Sequence, residues 1–346
     1  MTNKTSASPT QVIAVVLTIV FLSWVCFAIY LVMPLSYESK WKEVEIPEGA
    51  SYTRGVEILK SEGIINSGLG LRLLAKITLS DREMKAGFYN FNTFMSTLEI
   101  FNRLRKGMIV EFTVTIPEGS DLTFIKSRLE ENGLIDEKSW QLVRDRDFLH
   151  SLNIDAPSLE GYIYPDTYNF AKGADPRNIF SIMVHRMMDK FDKSMIARAG
   201  ELGMNTNEVL TLASIIEKEA IYDSERPLIS AVYHNRLKKN MKLQADPTVL
   251  YGVKKRWKRI RYIDLKRVTP YNTYVIKGLP PGPIASPGIK SIMAALFFTD
   301  VDYLYFVAMN NGKHHFSRTG TEHMKAVVAF QRNGKEFDNG TSEKEN

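Results

Sequence analysis

The stretch LTLASIIEKEA, Leu210 to Ala220, is apolar almost throughout and contains neither glycine nor proline. Asn207 stands just ahead of it as a candidate N-cap, so the pattern predicts a buried helix. Residues three and four apart share a helix face, which stacks Glu217 with Leu210, Ala213 and Ser214 below it and Ala220 and Ile221 above. A carboxyl group on so apolar a face is partly desolvated, and desolvation raises a glutamate pKa toward the value a general acid needs near neutral pH. Glu219 projects over Leu212, Ile215 and Ile216, and Lys218 lies on the side of Thr211 and Ser214. A buried helix that merely ends in a Glu–Lys pair is the alternative.

The rest of the 346-residue chain is 44% hydrophobic and 24% charged, ordinary for a folded protein of two or three domains. A formal charge of +6 leaves nucleic acid, an anionic membrane face and an acidic polymer all open as partners. Cys26 is the sole cysteine, which excludes an intramolecular disulfide and a zinc site built on cysteines. Val12 to Met33 is a run of 22 residues without a charge, reaching roughly 33 Å as a helix. A cleaved signal would have a shorter apolar region, about 7–15 residues, ending at a small-residue site, so the run reads as a single membrane anchor. Lys4 before it, and Lys40 and Lys42 among Glu38, Glu43 and Glu45 after it, do not decide its orientation.

A repeat follows the anchor. IPEGASYTRGVEILKSEGII from Ile46 aligns without gaps to IPEGSDLTFIKSRLEENGLI from Ile116. Each copy reads as a strand end, a Pro-Glu-Gly turn, an N-cap (Ser51 or Asp121), an amphipathic helix and a glycine C-cap. Such a module binds or spaces, or is simply a duplicated packing unit, and carries no obvious catalytic chemistry. Between the copies, helices are expected at Leu69 to Ile77 and Phe94 to Leu104, and strands after Lys85 and from Ile109 to Thr115, so residues 44–115 form a compact α+β module.

Beyond the second copy the pattern predicts a helix from Trp140 to Leu149 and a long one from Asp175-Pro176 to about Ala199. The Met183, Met187 and Met188 cluster on that long helix belongs to the core. Another helix is expected from Ser224 to about Lys239, with Val232, Tyr233 and Leu237 inward. SLEGYIYPDTYNF, Ser158 to Phe170, holds Glu160 and Asp166 among aromatic and turn residues and is either a buried corner or a wall of a sugar site. Asp246 reads as an N-cap with Pro247 behind it. The basic run Lys254 to Arg261 is the most nucleic-acid-like segment, but without a recognition helix or aromatic platform it reads as a solvated loop. Gly278 to Gly288 is a long Pro/Gly loop, and such loops inside compact domains are usually functional. A helix from Ile289 to Phe298 and a hairpin of Tyr303 to Met309 with His314 to Ser317, turning at Asn310-Asn311-Gly312, complete the chain. His314, His315 and His323 lack a metal-ligand spacing, so no metal is expected.

Together EGYIYPDTY, LASIIEKEA, the Gln244-x-Asp246-Pro-Thr-Val-x-Tyr251 pattern, PYNTY, GLPPGPIASPG and YLYFVA with HHFS resemble the YceG-like family of endolytic murein transglycosylases. They cover residues 159 to about 323 in the family's order. The resemblance implies an α+β chain with an N-terminal transmembrane helix (12–33, after a cytoplasmic tail, 1–11). It further implies a small LysM-like module (44–115), a larger mixed α+β catalytic domain (116–335) and a polar tail (336–346). It implies a single-pass inner-membrane protein with its body outside the cytoplasm, working on peptidoglycan glycan strands beside peptidoglycan synthases, with no cofactor and no nucleic-acid partner. The reaction implied is cleavage between N-acetylmuramic acid and N-acetylglucosamine with formation of a 1,6-anhydro end. Glu217 falls on the family's catalytic glutamate, and Gln244, Asp246, Asn272, Ser286 and Glu160 are expected to contact substrate. The alternatives are a membrane-anchored wall-binding scaffold, a two-carboxylate muramidase and, more remotely, a nucleic-acid-binding membrane protein resting on the basic run.

Overall fold

An uncharged apolar run satisfies its backbone most readily as a helix, and α1 (Pro9–Val32) is one, opened by a capping box between Ser8 and Gln11. Its 24 residues reach about 36 Å. The computed structural model describes residues 8–80, 82, 84–252 and 260–332, and among these α1 carries the one segment long and apolar enough to cross a membrane. The chain divides into two compact units, residues 1–112 with 169–173, and residues 113–168 with 174–346.

In the first unit β1 (Trp41–Ile46), α2 (Tyr52–Ser61), α3 (Leu69–Ile77), β2 (Gly87–Asn92) and α4 (Thr97–Lys106) follow in order, and β3 (Glu111–Thr115) leads out of it. The strands β1 and β2 pair antiparallel with Val44 opposite Tyr89. Alternation turns Val44 and Ile46 inward, where they meet Leu59, Leu71, Phe91, Ile100 and Leu104 in one core. The expected helix from Phe94 starts three residues later, because Ser96 and Glu99 form a capping box there.

The second unit begins within β3, whose partner is β4 (Thr167–Ala171). Between them lie α5 (Leu122–Glu131), a 3-10 turn (Ser139–Arg144) and α6 (Arg146–Ser151). The single helix expected from Trp140 is broken at Asp145, whose carboxylate takes the Phe148 N–H and restarts the chain. The long helix expected after Asp175 is likewise two, α7 (Pro176–Met188) and α8 (Lys193–Glu201), because Asp192 caps the second through the Met195 N–H.

The helix of Glu217 is α9 (Thr206–Glu219). Its N-cap is Asn205, paired reciprocally with Glu208, and not Asn207, which lies in the first turn and bonds Tyr162 and the Pro281 carbonyl. Every residue from Val209 to Ile216 is buried, since α9 packs against three neighbours. These are α10 (Arg226–Lys238), entered through a 3-10 turn at Asp223–Glu225, α11 (Asp246–Leu250) and, past the short α12 (Tyr262–Leu265), α13 (Ile289–Leu296). The hairpin β5 (Tyr305–Ala308) with β6 (His314–Ser317), in the register Ala308 opposite His314, and α14 (Gly320–Val327) close the unit. Asp246 begins α11 without capping it; Ala245 occupies the cap position, and the Asp246 carboxylate accepts from the Tyr274 hydroxyl at 2.6 Å. The basic run of Lys254 to Arg261 lies outside the described residues except for its last two, and the tail 336–346 lies outside them altogether.

Candidate active site at the end of α9

Glu217 stands in the last turn of α9, where the chain leaves the helix at Ala220, reverses through Asp223–Glu225 and starts α10. That reversal returns Arg226 to the helix end. Its Nη2 donates to Glu217 Oε1 at 3.2 Å, its Nε to Asp223 at 3.2 Å, and its Nη1 to the Ser291 hydroxyl. The other oxygen, Glu217 Oε2, accepts the Gly288 N–H at 3.0 Å from the residue that caps α13. The Glu217 and Arg226 side chains are only 7% and 8% exposed. The carboxyl group expected to be partly desolvated is thus buried and held by two donors, one a full cation.

A second element reaches the same place. Backbone bonds stitch the Pro-Glu-Gly turn of the second repeat copy to the Pro/Gly loop: Gly119 N–H to the Ser286 carbonyl and Ser286 N–H to the Ser120 carbonyl, both at 2.8 Å. Lys218 donates to the Gly119 carbonyl at 3.2 Å. A Cβ built on Gly288 would overlap the carboxyl group of Glu118, which is exposed. The glycine therefore has Glu217 on its N–H and Glu118 where a side chain would be.

Glu219 points about 200° away round the same helix. Its Oε1 accepts from the buried Tyr233 hydroxyl at 3.1 Å, and desolvation pushes its carboxyl up to about 7, against the pull of that hydroxyl and of the Asp246 N–H. Gln244 and Asp246 gather on this side, both exposed; Gln244 holds φ +50 and accepts from Arg236 at 3.3 Å. The remaining expected contacts lie inside the fold. Glu160, 3% exposed, accepts the Leu122 N–H at 3.2 Å and the Tyr251 hydroxyl at 3.1 Å, and burial raises it to about 7. Asn272, 1% exposed, donates to the Leu265 and Arg267 carbonyls and takes the Tyr274 N–H. Ser286 is fully buried, and its hydroxyl has no hydrogen-bond partner among the described residues. Tyr162, Tyr164 and Tyr168 are buried too, so the aromatic stretch is a buried corner rather than a sugar-facing wall. Among the described residues no three His, Cys, Asp or Glu side chains gather as a metal site would need. His314 instead pairs with Glu225 at 2.8 Å.

Residues 44–329 match the YceG-like family. The chain belongs to that family. A Bacillus subtilis protein named endolytic murein transglycosylase is 34% identical over 322 residues, covering 87% of this chain and 88% of its own length. A Streptococcus pneumoniae protein of the same name is 30% identical over 330 residues, and the chain spans 60% of its length. The crystal structure of a YceG-like protein of Listeria monocytogenes, 34% identical, superposes with a TM-score of 0.57 over 84% of this chain and all of that one. Within this YceG-like chain, the motifs drew attention to Glu217 and the loops around it but gave no hint of its partners Arg226 and Gly288, or of Glu118 beside them. The only signal that could have found Glu118 was the repeat, which sets a carboxylate in a tight turn twice over.

Proposed function

We propose that the chain is an endolytic murein transglycosylase that cleaves the N-acetylmuramic acid–N-acetylglucosamine bond of glycan strands and leaves a 1,6-anhydro end. The observation that carries this reading is the Glu217 carboxyl group at the end of a buried helix, held by Arg226 and the Gly288 N–H. A glycosidase ordinarily uses two carboxylates, one to protonate the leaving oxygen and one to attack or to activate water. Transglycosylation needs no water, because the sugar's own C6 hydroxyl attacks the anomeric carbon. Glu217 protonates the glycosidic oxygen; Arg226 and the Gly288 N–H hold the carboxylate that remains; the carboxylate then recovers the C6 hydroxyl proton. Such proton transfer contributes roughly 10²–10⁴-fold.

Gln244 and Asp246, being exposed, meet the glycan strand as it passes the helix end. Glu160, Asn272 and Ser286, being buried, act through the loops they hold. In the same reading α1 spans the inner membrane, the body lies on the extracytoplasmic side near the synthases that make its substrate, and residues 44–115 form a LysM-like glycan-binding module ahead of a catalytic domain at 116–335. Incubation with purified sacculi followed by mass spectrometry tests the whole. Released anhydro ends, lighter by one water than reducing ends, are expected. Reducing ends would mean a two-carboxylate muramidase, and no release would leave a wall-binding scaffold.

A further inference from the structure

Glu118 belongs to the turn of the repeat, a feature that the transglycosylase reading leaves without a task. Its backbone is fastened on both sides: before it the Ile116 N–H bonds the Asp166 carbonyl, and after it Gly119 and Ser120 are bonded to Ser286, while Lys218, next in chain to Glu217, donates to the Gly119 carbonyl. The turn is therefore rigidly placed against the last turn of α9. Gly288 lies between the two carboxylates, with its N–H on Glu217 Oε2 at 3.0 Å and its Cβ position overlapping the Glu118 carboxyl, so one residue's width, about 8 Å at most, separates them. Paired glycosidase carboxylates stand about 5–9.5 Å apart across one sugar.

The other nearby acids are committed elsewhere. Glu219 faces away and is held by Tyr233, while Asp246 accepts from Tyr274. Among the described residues no donor hydrogen-bonds the Glu118 carboxylate, which is exposed; Lys290, itself tied to Asp223, is a cation within its field. A side chain at position 288 would displace the Glu118 carboxyl from this place.

We propose that Glu118 is a second catalytic carboxylate, which stabilises the positive charge that develops at the anomeric carbon while Glu217 moves the proton. This rests on the transglycosylase reading for the identity of the reacting bond. No bond forms to Glu118: the C1–O4 bond breaks as Glu217 protonates O4, the C6 oxygen closes on C1, and its proton returns to Glu217. Removing one group placed to meet charge developing in a transition state costs about 10²–10³-fold.

The test compares Glu118→Gln with Glu131→Gln, an exposed carboxylate at the end of α5 that pairs with Arg128, in the full chain. Calorimetry measures binding of a protonated iminosugar, which carries its charge where the anomeric carbon would be, against a neutral N-acetylglucosamine tetramer. Glu118→Gln should weaken the iminosugar about 10-fold or more while leaving the neutral sugar within about twofold, and should lower kcat about 10²-fold with KM little changed. Glu131→Gln should do neither. Equal binding of the iminosugar by wild type and Glu118→Gln, or a loss confined to KM, overturns the assignment. If the wild type forms no anhydro ends the transglycosylase reading fails, yet the iminosugar measurement still decides whether Glu118 faces a cationic centre.

Discussion

At the residue scale the site rests on a buried ion pair whose members need each other. Removing one partner of such a pair leaves an uncompensated charge and typically costs about 3–5 kcal/mol. Arg226→Met should therefore lower both thermal stability and turnover, since Arg226 also anchors Asp223 and Ser291. Adding Glu217→Gln to Arg226→Met should recover part of the lost stability, because no charge is then stranded; a fully additive double-mutant cycle would show that the pair is not coupled. Glu217→Gln alone should abolish cleavage and also lower thermal stability, because it strands the buried Arg226 charge, while Glu219→Gln and Asp246→Asn keep measurable turnover, as the anhydro-end assay reads directly. A second residue-level effect is visible in pH. Burial raises Glu160 from 4.5 to about 7, so the native state binds its proton more tightly than the unfolded chain does. The stability this gives is complete below 4.5 and is lost as pH rises through about 7. Urea midpoints measured at pH 4.5 and pH 8 should show a smaller decline across that range for Glu160→Gln than for the wild type.

At the scale of elements, α9 is the part to weaken gently and α13's approach the part to block. Asn205→Ala removes one side of a capping box, which costs about 1 kcal/mol. It should lower Tm by roughly 2–4 °C and leave kcat unchanged, because the cap lies at the far end of the helix from Glu217. Gly161 behaves differently. It holds φ +76, and a Cβ there would overlap Pro283 in the loop that leads to Ser286 and Gly288. Gly161→Ala should push that loop off the Glu217 carboxylate and reduce turnover by more than its loss of stability accounts for. Turnover that follows the folded fraction alone would make the glycine purely structural.

For the whole molecule the question is what α1 contributes to a body that folds as two units. An anchor confines an enzyme to the membrane surface and raises its encounter rate with strands still being made there, which is an effect of local concentration rather than of chemistry. A secreted form lacking residues 1–36 should accordingly cleave isolated sacculi as well as the full chain does. At native expression it should restore a strain lacking the protein only in part. Full restoration would make anchoring dispensable.

Local energetics were legible in the sequence. Helix α3 lies where the apolar spacing set it, Ser51 and Asp121 cap their helices, Pro176 opens α7, and the β5–β6 hairpin turns at Asn310-Asn311-Gly312, because each depends on residues within a turn or two of one another. The failures at that level, Asp145, Asp192 and Asn205, are caps concealed in patterns whose apolar spacing runs on across the break. The motif order also carried family membership. Tertiary structure alone decided the site's electrostatics. The residues at the Glu217 carboxylate are 226 and 288, from a helix start and a loop end, with Glu118 of the repeat turn beside Gly288, and what brings them there is the burial of α9 by α10 and α13 together with the Gly119–Ser286 stitch. Burial likewise settled which polar motif residues face inward, since Glu160 and Asn272 satisfy backbone groups that no local pattern reveals as needing a partner.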